Sequence, residues 1–115
     1  MLLATLWAAG CSSQGPQAQN ALAQAKSTVS GTAKSKPVGN GAEALAAAQA
    51  KLKEANAAMA DGDYARARRL AEEANADAEL ARAQAAAEAA RVHLEQLRQR
   101  VDALRQQTGR LPEDQ

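Results

Sequence analysis

Residues 42–83 read AEALAAAQAKLKEANAAMADGDYARARRLAEEANADAELARA, and the reading of this stretch decides the fold. In its first half Leu45, Ala48, Leu52, Ala55 and Met59 recur at alternate spacings of four and three, which puts them on one stripe of a helix. Asn40 precedes that helix with Glu43 three positions on, an arrangement like a capping box. The stripe stops at Asp61 and Gly62, and glycine suits the left-handed position just past a helix end. Asp63 then stands where a side chain caps a second helix beginning at Tyr64. A junction made only of Asp61, Gly62, Asp63 and Tyr64 is short enough to set the two helices antiparallel. The expected fold is all-α: an antiparallel hairpin with a short helix over about 41–60 and a long one over about 64–108.

The second helix is the longer because nothing interrupts it. No glycine or proline occurs from Tyr64 to Thr108, and Gly109 and Pro112 supply the stop. At 1.5 Å per residue its reach is about 66 Å, against about 30 Å for its neighbour. Its first half carries Tyr64, Ala67, Ala71, Ala74, Ala78, Ala81 and Ala85 at heptad spacing, a seam suited to the first helix. Its second half carries another set. Leu80, Ala87, Leu94, Val101 and Thr108 fall at a positions, and Ala83, Ala90, Leu97, Leu104 and Leu111 at d. A Leu/Val stripe is unfavourable in water, so Leu80, Leu94, Leu97, Val101 and Leu104 form the candidate partner seam. The segment before residue 40 folding back, a second copy, or a different protein are the candidates to cover it.

The charges bear on that choice. Arg91, Arg98 and Arg105 occupy e positions and Arg100 a g position, while Glu88, Glu95 and Asp102 sit at b, within i,i+3 reach of the e arginines. A parallel homodimer sets Arg100 against Arg105 of its mate, and an antiparallel one brings e arginines together. Self-pairing is thus disfavoured, and an acidic helical partner suits the flank better. A solvated face whose charges are satisfied within the helix is the alternative.

Composition agrees with rods rather than a compact core. Apolar residues make up 46% of the 115, but most are alanine, and Phe and Ile are absent. A small domain so poor in large side chains builds only a marginal core, whereas alanine favours helix and lets helices approach closely. Net charge is +1, with both signs interspersed, so no nucleic-acid partner is implied. One cysteine and one histidine, Cys11 and His93, exclude a disulfide and His–His or multi-cysteine metal motifs. Neither cofactor nor small-molecule substrate is expected, since acid–base chemistry needs titratable groups converging in a pocket. The expectation is a protein that is not an enzyme.

Residues 1–10, MLLATLWAAG, are an uncharged apolar run that ends in small residues directly before Cys11. That is the pattern of an export signal with its cleavage site between Gly10 and Cys11. The segment Leu6-Trp7-Ala8-Ala9-Gly10-Cys11 resembles a bacterial lipobox, which implies acylation of Cys11. Ala8 stands where leucine is commoner, and no basic residue precedes the apolar run. Each buried methylene of an acyl chain contributes about 0.8 kcal/mol, so two or three chains hold a protein at a membrane. Ser12 and Ser13 follow, and by resemblance to sorted lipoproteins the absence of Asp there implies the outer membrane. From Ser12 to Asn40, with Pro16, Gly31 and Pro37 as breakers, the composition reads as a flexible tether, with a marginal helix over 17–27 at most. The expected organisation is signal over 1–10, acylated cysteine and tether over 11–40, hairpin over 41–109 and tail over 110–115.

The helix AEALAAAQAKLKEANAAMA, the junction DGDYARARRLAEEANADAELARA and the tail VHLEQLRQRVDALRQQ together resemble a family of short, alanine-rich proteobacterial envelope proteins defined by a domain of unknown function. Its members are usually lipoproteins, and some are fused to OmpA-like domains. The resemblance implies an all-α envelope module and brings no activity. The GDY-x-x-A pattern is also similar to tetratricopeptide repeats, but only one such unit is visible and a solenoid needs several. The expected function is therefore an outer-membrane lipoprotein, anchored through the acyl chains of Cys11, whose helical arm meets a protein partner or a second copy in the periplasm. A murein-lipoprotein-like wall linker and a soluble periplasmic chaperone-like or regulatory hairpin are the other classes. The wall linker lacks the C-terminal lysine that such proteins use, since the chain reads Leu111-Pro112-Glu113-Asp114-Gln115 at its end.

Overall fold

The computed structural model describes residues 14–109, and these form three helices: α1 (Gln14–Lys34), α2 (Asn40–Ala60) and α3 (Tyr64–Thr108). The fold is all-α. α2 runs antiparallel to α3, as the short junction requires. α1 lies parallel to α3: Gly15 sits beside the Tyr64 ring, Gln17 bonds Arg68, and Thr32 reaches Ala78.

The first helix corrects the expectation of a tether over 12–40. Ala18, Leu22, Ala25, Val29 and Thr32 fall at spacings of three and four, and all are buried. Their stripe is faint because only Leu22 and Val29 are large, and alone it would not hold a helix in water. Packing on α2 and α3 supplies what local propensity lacks. Pro16 lies in the first turn of α1, where its missing N–H leaves no bond unmade. Gly31 lies in the last turn of α1, where its helix-weakening effect costs at most about 1 kcal/mol relative to alanine, beside the buried Val29 and Thr32. The Thr28 hydroxyl donates to Asn75 Oδ1 at 2.7 Å, and the buried Thr32 hydroxyl to the Ala78 carbonyl at 3.2 Å. The chain leaves α1 through Lys36 at φ 47°, and Pro37 follows.

The helix-end details divide. Asn40 is the first residue of α2 rather than its cap; Gly39 holds the cap position at φ 56°, and no side chain bonds there. The junction to α3 follows its sequence signature. The Gly62 N–H donates to the Met59 carbonyl and the Asp63 N–H to the Ala58 carbonyl, with Gly62 at φ 76°. That is a Schellman closure. The Asp63 carboxylate accepts from the Arg66 N–H at 3.1 Å, capping α3.

The core is two linked clusters of mostly alanine. One joins Ala18, Leu22 and Ala25 of α1, Ala55 and Ala58 of α2, and Ala67, Leu70, Ala71 and Ala74 of α3. The other joins Val29, Ala48 and Ala78. Leu45, Leu52 and Met59 pack against these from α2, half-buried. Small side chains bring the backbones close. At Gly41 an added Cβ would stand 3.2 Å from the Ala81 carbonyl oxygen and 3.1 Å from Pro37 Cβ. Outside the clusters, Lys51 spans to α3, with its Nζ 2.8 Å from Asp77 and 3.6 Å from Glu73. The hydrogen bond to Asp77 raises its pKa above the ordinary lysine value, opposed by loss of solvent.

Two outcomes follow from this packing. Leu70→Ala removes one of the few large buried side chains, and a loss of about 2–4 kcal/mol is expected in urea unfolding followed by circular dichroism. A lysine whose pKa is raised on folding stabilises below its unfolded pKa and ceases to do so as pH climbs through its folded one. The gap in thermal midpoint between wild type and Lys51→Met should therefore hold at about pH 8 and shrink only as pH is raised past the ordinary lysine value of about 10.4.

Candidate functional site

Two groups of residues were singled out by sequence within the described chain: the junction 61–64 and the seam of α3. At the junction Tyr64 is half-exposed, its ring 3.9 Å from where a Cβ on Gly15 would lie, so it seats against the first turn of α1. A shallow cleft beside it is lined by Gln14, Gln17, Tyr64, Arg68 and Glu72. Arg68 bonds Glu72 at 2.7 Å and Gln17 at 2.9 Å, so its polar groups are engaged within the bundle. Nothing there converges on a reacting atom. Cys11 and Gly10, with the expected lipidation and cleavage, lie outside the described residues, as does Leu111.

The seam stands in the open. Leu80, Leu94, Leu97, Val101 and Leu104 are each between 41% and 60% exposed. α1 and α2 cover α3 only as far as Ala81–Ala85, where Gly41 touches its backbone, and every residue from Ala86 to Gly109 is exposed. Beyond the bundle the helix rests on its own terms. It extends a helix already nucleated, so it escapes the cost of a first turn. Arg91–Glu88, Arg98–Glu95 and Arg105–Asp102 meet at 3.7, 3.9 and 3.8 Å, one i,i+3 pair per heptad. Each exposed pair contributes a few tenths of a kcal/mol.

The three dimensions add what heptad letters did not. The buried stripe of α3 runs through Ala67, Ala71, Ala74, Ala78 and Ala81, and its continuation passes through Ala85, Glu88, Val92, Glu95 and Gln99. At about 100° per residue, Leu94 and Leu97 lie roughly half a turn from that line. Burial says the same directly: Leu80 is 51% exposed although Ala78 and Ala81 on either side of it are fully buried. The Leu/Val seam is therefore on the back of α3. It does not take over where the alanine seam ends; it begins alongside the bundle, facing away from α1 and α2. Residues 14–34 of the segment before residue 40 do fold back onto α3, but onto the opposite face, so α1 covers none of the seam. Val92, 52% exposed, belongs to the bundle-side line and stands apart from the seam.

Along the seam a shallow groove is formed by Leu94, Leu97, Arg98, Val101, Asp102 and Arg105. Among the described residues no group of three His, Cys, Asp or Glu side chains could hold a metal ion, and no helix is long and apolar enough to cross a membrane. His93 is exposed at the seam's other edge. The surface is suited to one kind of work, which is packing against another apolar stripe.

The family described as Domain of unknown function (DUF4398) matches residues 17–97, well over half of the chain. The chain belongs to this family. The matched stretch takes in nearly all of α1, so the helix that sequence composition disguised is part of the family's domain. It ends at Leu97, leaving Val101 and Leu104 of the seam beyond it. No curated protein and no solved structure matches the chain.

If the seam plays no part in the fold, altering it should leave stability alone. Leu97→Gln, which keeps helix propensity, is expected to shift urea-unfolding stability by less than about 0.5 kcal/mol. A larger loss would place Leu97 in the core.

Proposed function

We propose that this protein is an outer-membrane lipoprotein, held by acyl chains on Cys11, that works as a rigid adaptor in the periplasm and binds a protein partner through the back of α3. The observation that carries the reading is the polarity of the chain. α1 begins at Gln14, beside Tyr64, at the pole of the bundle where α2 turns into α3. The seam runs toward the opposite pole. From Tyr64 to Leu104 along one uninterrupted helix is about 60 Å. An anchor three residues ahead of Gln14 and a sticky stripe at the far end belong to opposite ends of one rod.

The extent of α1 changes the character of that rod. Sequence composition suggested a long flexible leash between Cys11 and the folded part. With a helix from Gln14, only Ser12 and Ser13 intervene. Even fully extended they span about 10 Å. The bundle then stands close to the lipid surface, and the seam is presented at a set height rather than within a cloud of positions. A fixed reach is what an adaptor between a membrane and a periplasmic partner requires. The lipobox-like LWAAGC segment and the Ser12-Ser13 pair support the membrane assignment. The alanine-rich seams favour a module without chemistry, because they leave few side chains that could react.

Replacing Cys11 by alanine tests the anchor. In fractionated cells the wild-type protein should partition with the outer membrane and carry the added mass of its acyl chains. The Cys11→Ala variant should move to the soluble periplasmic fraction. Equal membrane retention of both would count decisively against a lipid anchor.

A further inference from the structure

We infer that the back of α3 receives one helix of a different protein, apolar along its own seam and acidic along its edges, lying beside α3 from Leu80 to Leu104 without disturbing the bundle. The inference rests on the partner-binding part of the proposed function and is independent of the anchor.

The occupant is a helix because of the shape of the stripe. The seam is one side chain wide, straight, and repeats at alternating spacings of three and four; a coiled-coil neighbour buries such a stripe most fully. Its near half is floored by the exposed Ala83, Ala87 and Ala90, which let a second backbone come close, and its far half carries Leu94, Leu97, Val101 and Leu104 as knobs.

The occupant is not α1 or α2, since both already lie on the other face. A second copy is disfavoured by charge. The edges of the seam carry Arg91, Arg98 and Arg105 on one side and His93 and Arg100 on the other. From Leu80 to Leu104 no acid lies at either edge: Glu88, Glu95 and Asp102 stand one step further round, behind the arginines, and Glu79, at the edge just before Leu80, is paired with Arg82 at 3.5 Å. A parallel pair of copies sets Arg100 against Arg105, and an antiparallel pair sets the arginine row against itself. The parallel register forms no attractive edge pair, and the antiparallel one that overlaps Leu80 with Leu104 sets only Glu79 against Arg100 beside its opposed arginines. A helix with Glu or Asp at its e and g positions meets the arginines directly, and each arginine can turn from its exposed i,i+3 partner at little cost.

Position on the back of α3 makes a further point. Binding there needs no rearrangement, because α1 and α2 occupy the opposite half of the helix circumference. The bundle should be equally stable with the site filled or empty, apart from the mass-action gain of binding itself.

The test uses the mature full chain and two synthetic helical peptides about four heptads long, both with Leu and Val at a and d. One carries Glu at every e and g, the other Lys. Titration calorimetry at low ionic strength should show the Glu peptide binding at least about tenfold more tightly than the Lys peptide, which corresponds to three or four favourable edge pairs. Added salt should narrow the difference. Leu97→Gln should abolish binding of the Glu peptide, and the triple variant Arg91→Glu, Arg98→Glu, Arg105→Glu should reverse the preference. The chain alone should sediment as a monomer at micromolar concentration. Equal affinity for both peptides, binding of neither, or a seam-dependent dimer of the chain alone would each overturn the inference. Loss of membrane retention in Cys11→Ala is read separately, so failure of the anchor and failure of this surface cannot be confused.

Discussion

Close approach of backbones is the constraint on which the molecule depends. Buried residues are nearly all alanine, with Leu22, Val29, Thr32 and Leu70 as the exceptions of size. Alanine buries little area, so it stabilises an interface only when the helices come near enough for backbone atoms to touch. Gly41 marks the tightest point: no Cβ fits comfortably against Pro37 and the Ala81 carbonyl. The Thr32 hydroxyl reaching the Ala78 carbonyl is possible for the same reason. A bundle made this way is slender. It also leaves most polar surface unpaired across helices, and the Lys51 bridge to Asp77 and Glu73 is one of few links between α2 and α3 outside the apolar contacts.

A slender bundle accounts for the unequal helices. α1 and α2 have 21 residues each and α3 has 45, so about half of α3 has no neighbour among the described residues. That half persists through continuity with a nucleated helix and through its regular i,i+3 pairs. It is helical without being packed. Such a segment contributes nothing to the core, and its sequence is therefore available for a surface. The exposed Leu94, Leu97, Val101 and Leu104 occupy that surface in a pattern that solubility alone would not favour.

The placement of that pattern governs the functional reading. Had the seam continued the buried stripe, it would read as a bundle left incomplete, awaiting a longer α1 or α2. Lying instead on the back of α3 and beginning at Leu80 beside the bundle, it is a separate surface. The bundle and the seam are then separate in structure: three packed helices form the core, and the far face of α3 takes no part in it.

Much of this was legible in the residues. The Asp61-Gly62-Asp63 junction, the limits of α2 and α3, and the alanine stripe that faces inward all follow from local chemistry, because left-handed glycine, side-chain capping and helical periodicity act within a few residues. The i,i+3 charge pairs of α3 follow for the same reason. α1 was not legible. Its stripe has two large side chains among polar ones, its Gly31 and Pro16 resemble breakers, and its stability comes from contacts with residues some 50 positions away, such as Gln17 with Arg68. Nor could Asn40 be told from Gly39 as the residue preceding α2, since the turn through Lys36 and Pro37 sets that geometry. The sequence alone determined that α3 carries two apolar stripes. Only the tertiary structure decided which way each faces, because a stripe acquires an inside and an outside only when other helices cover one side of it.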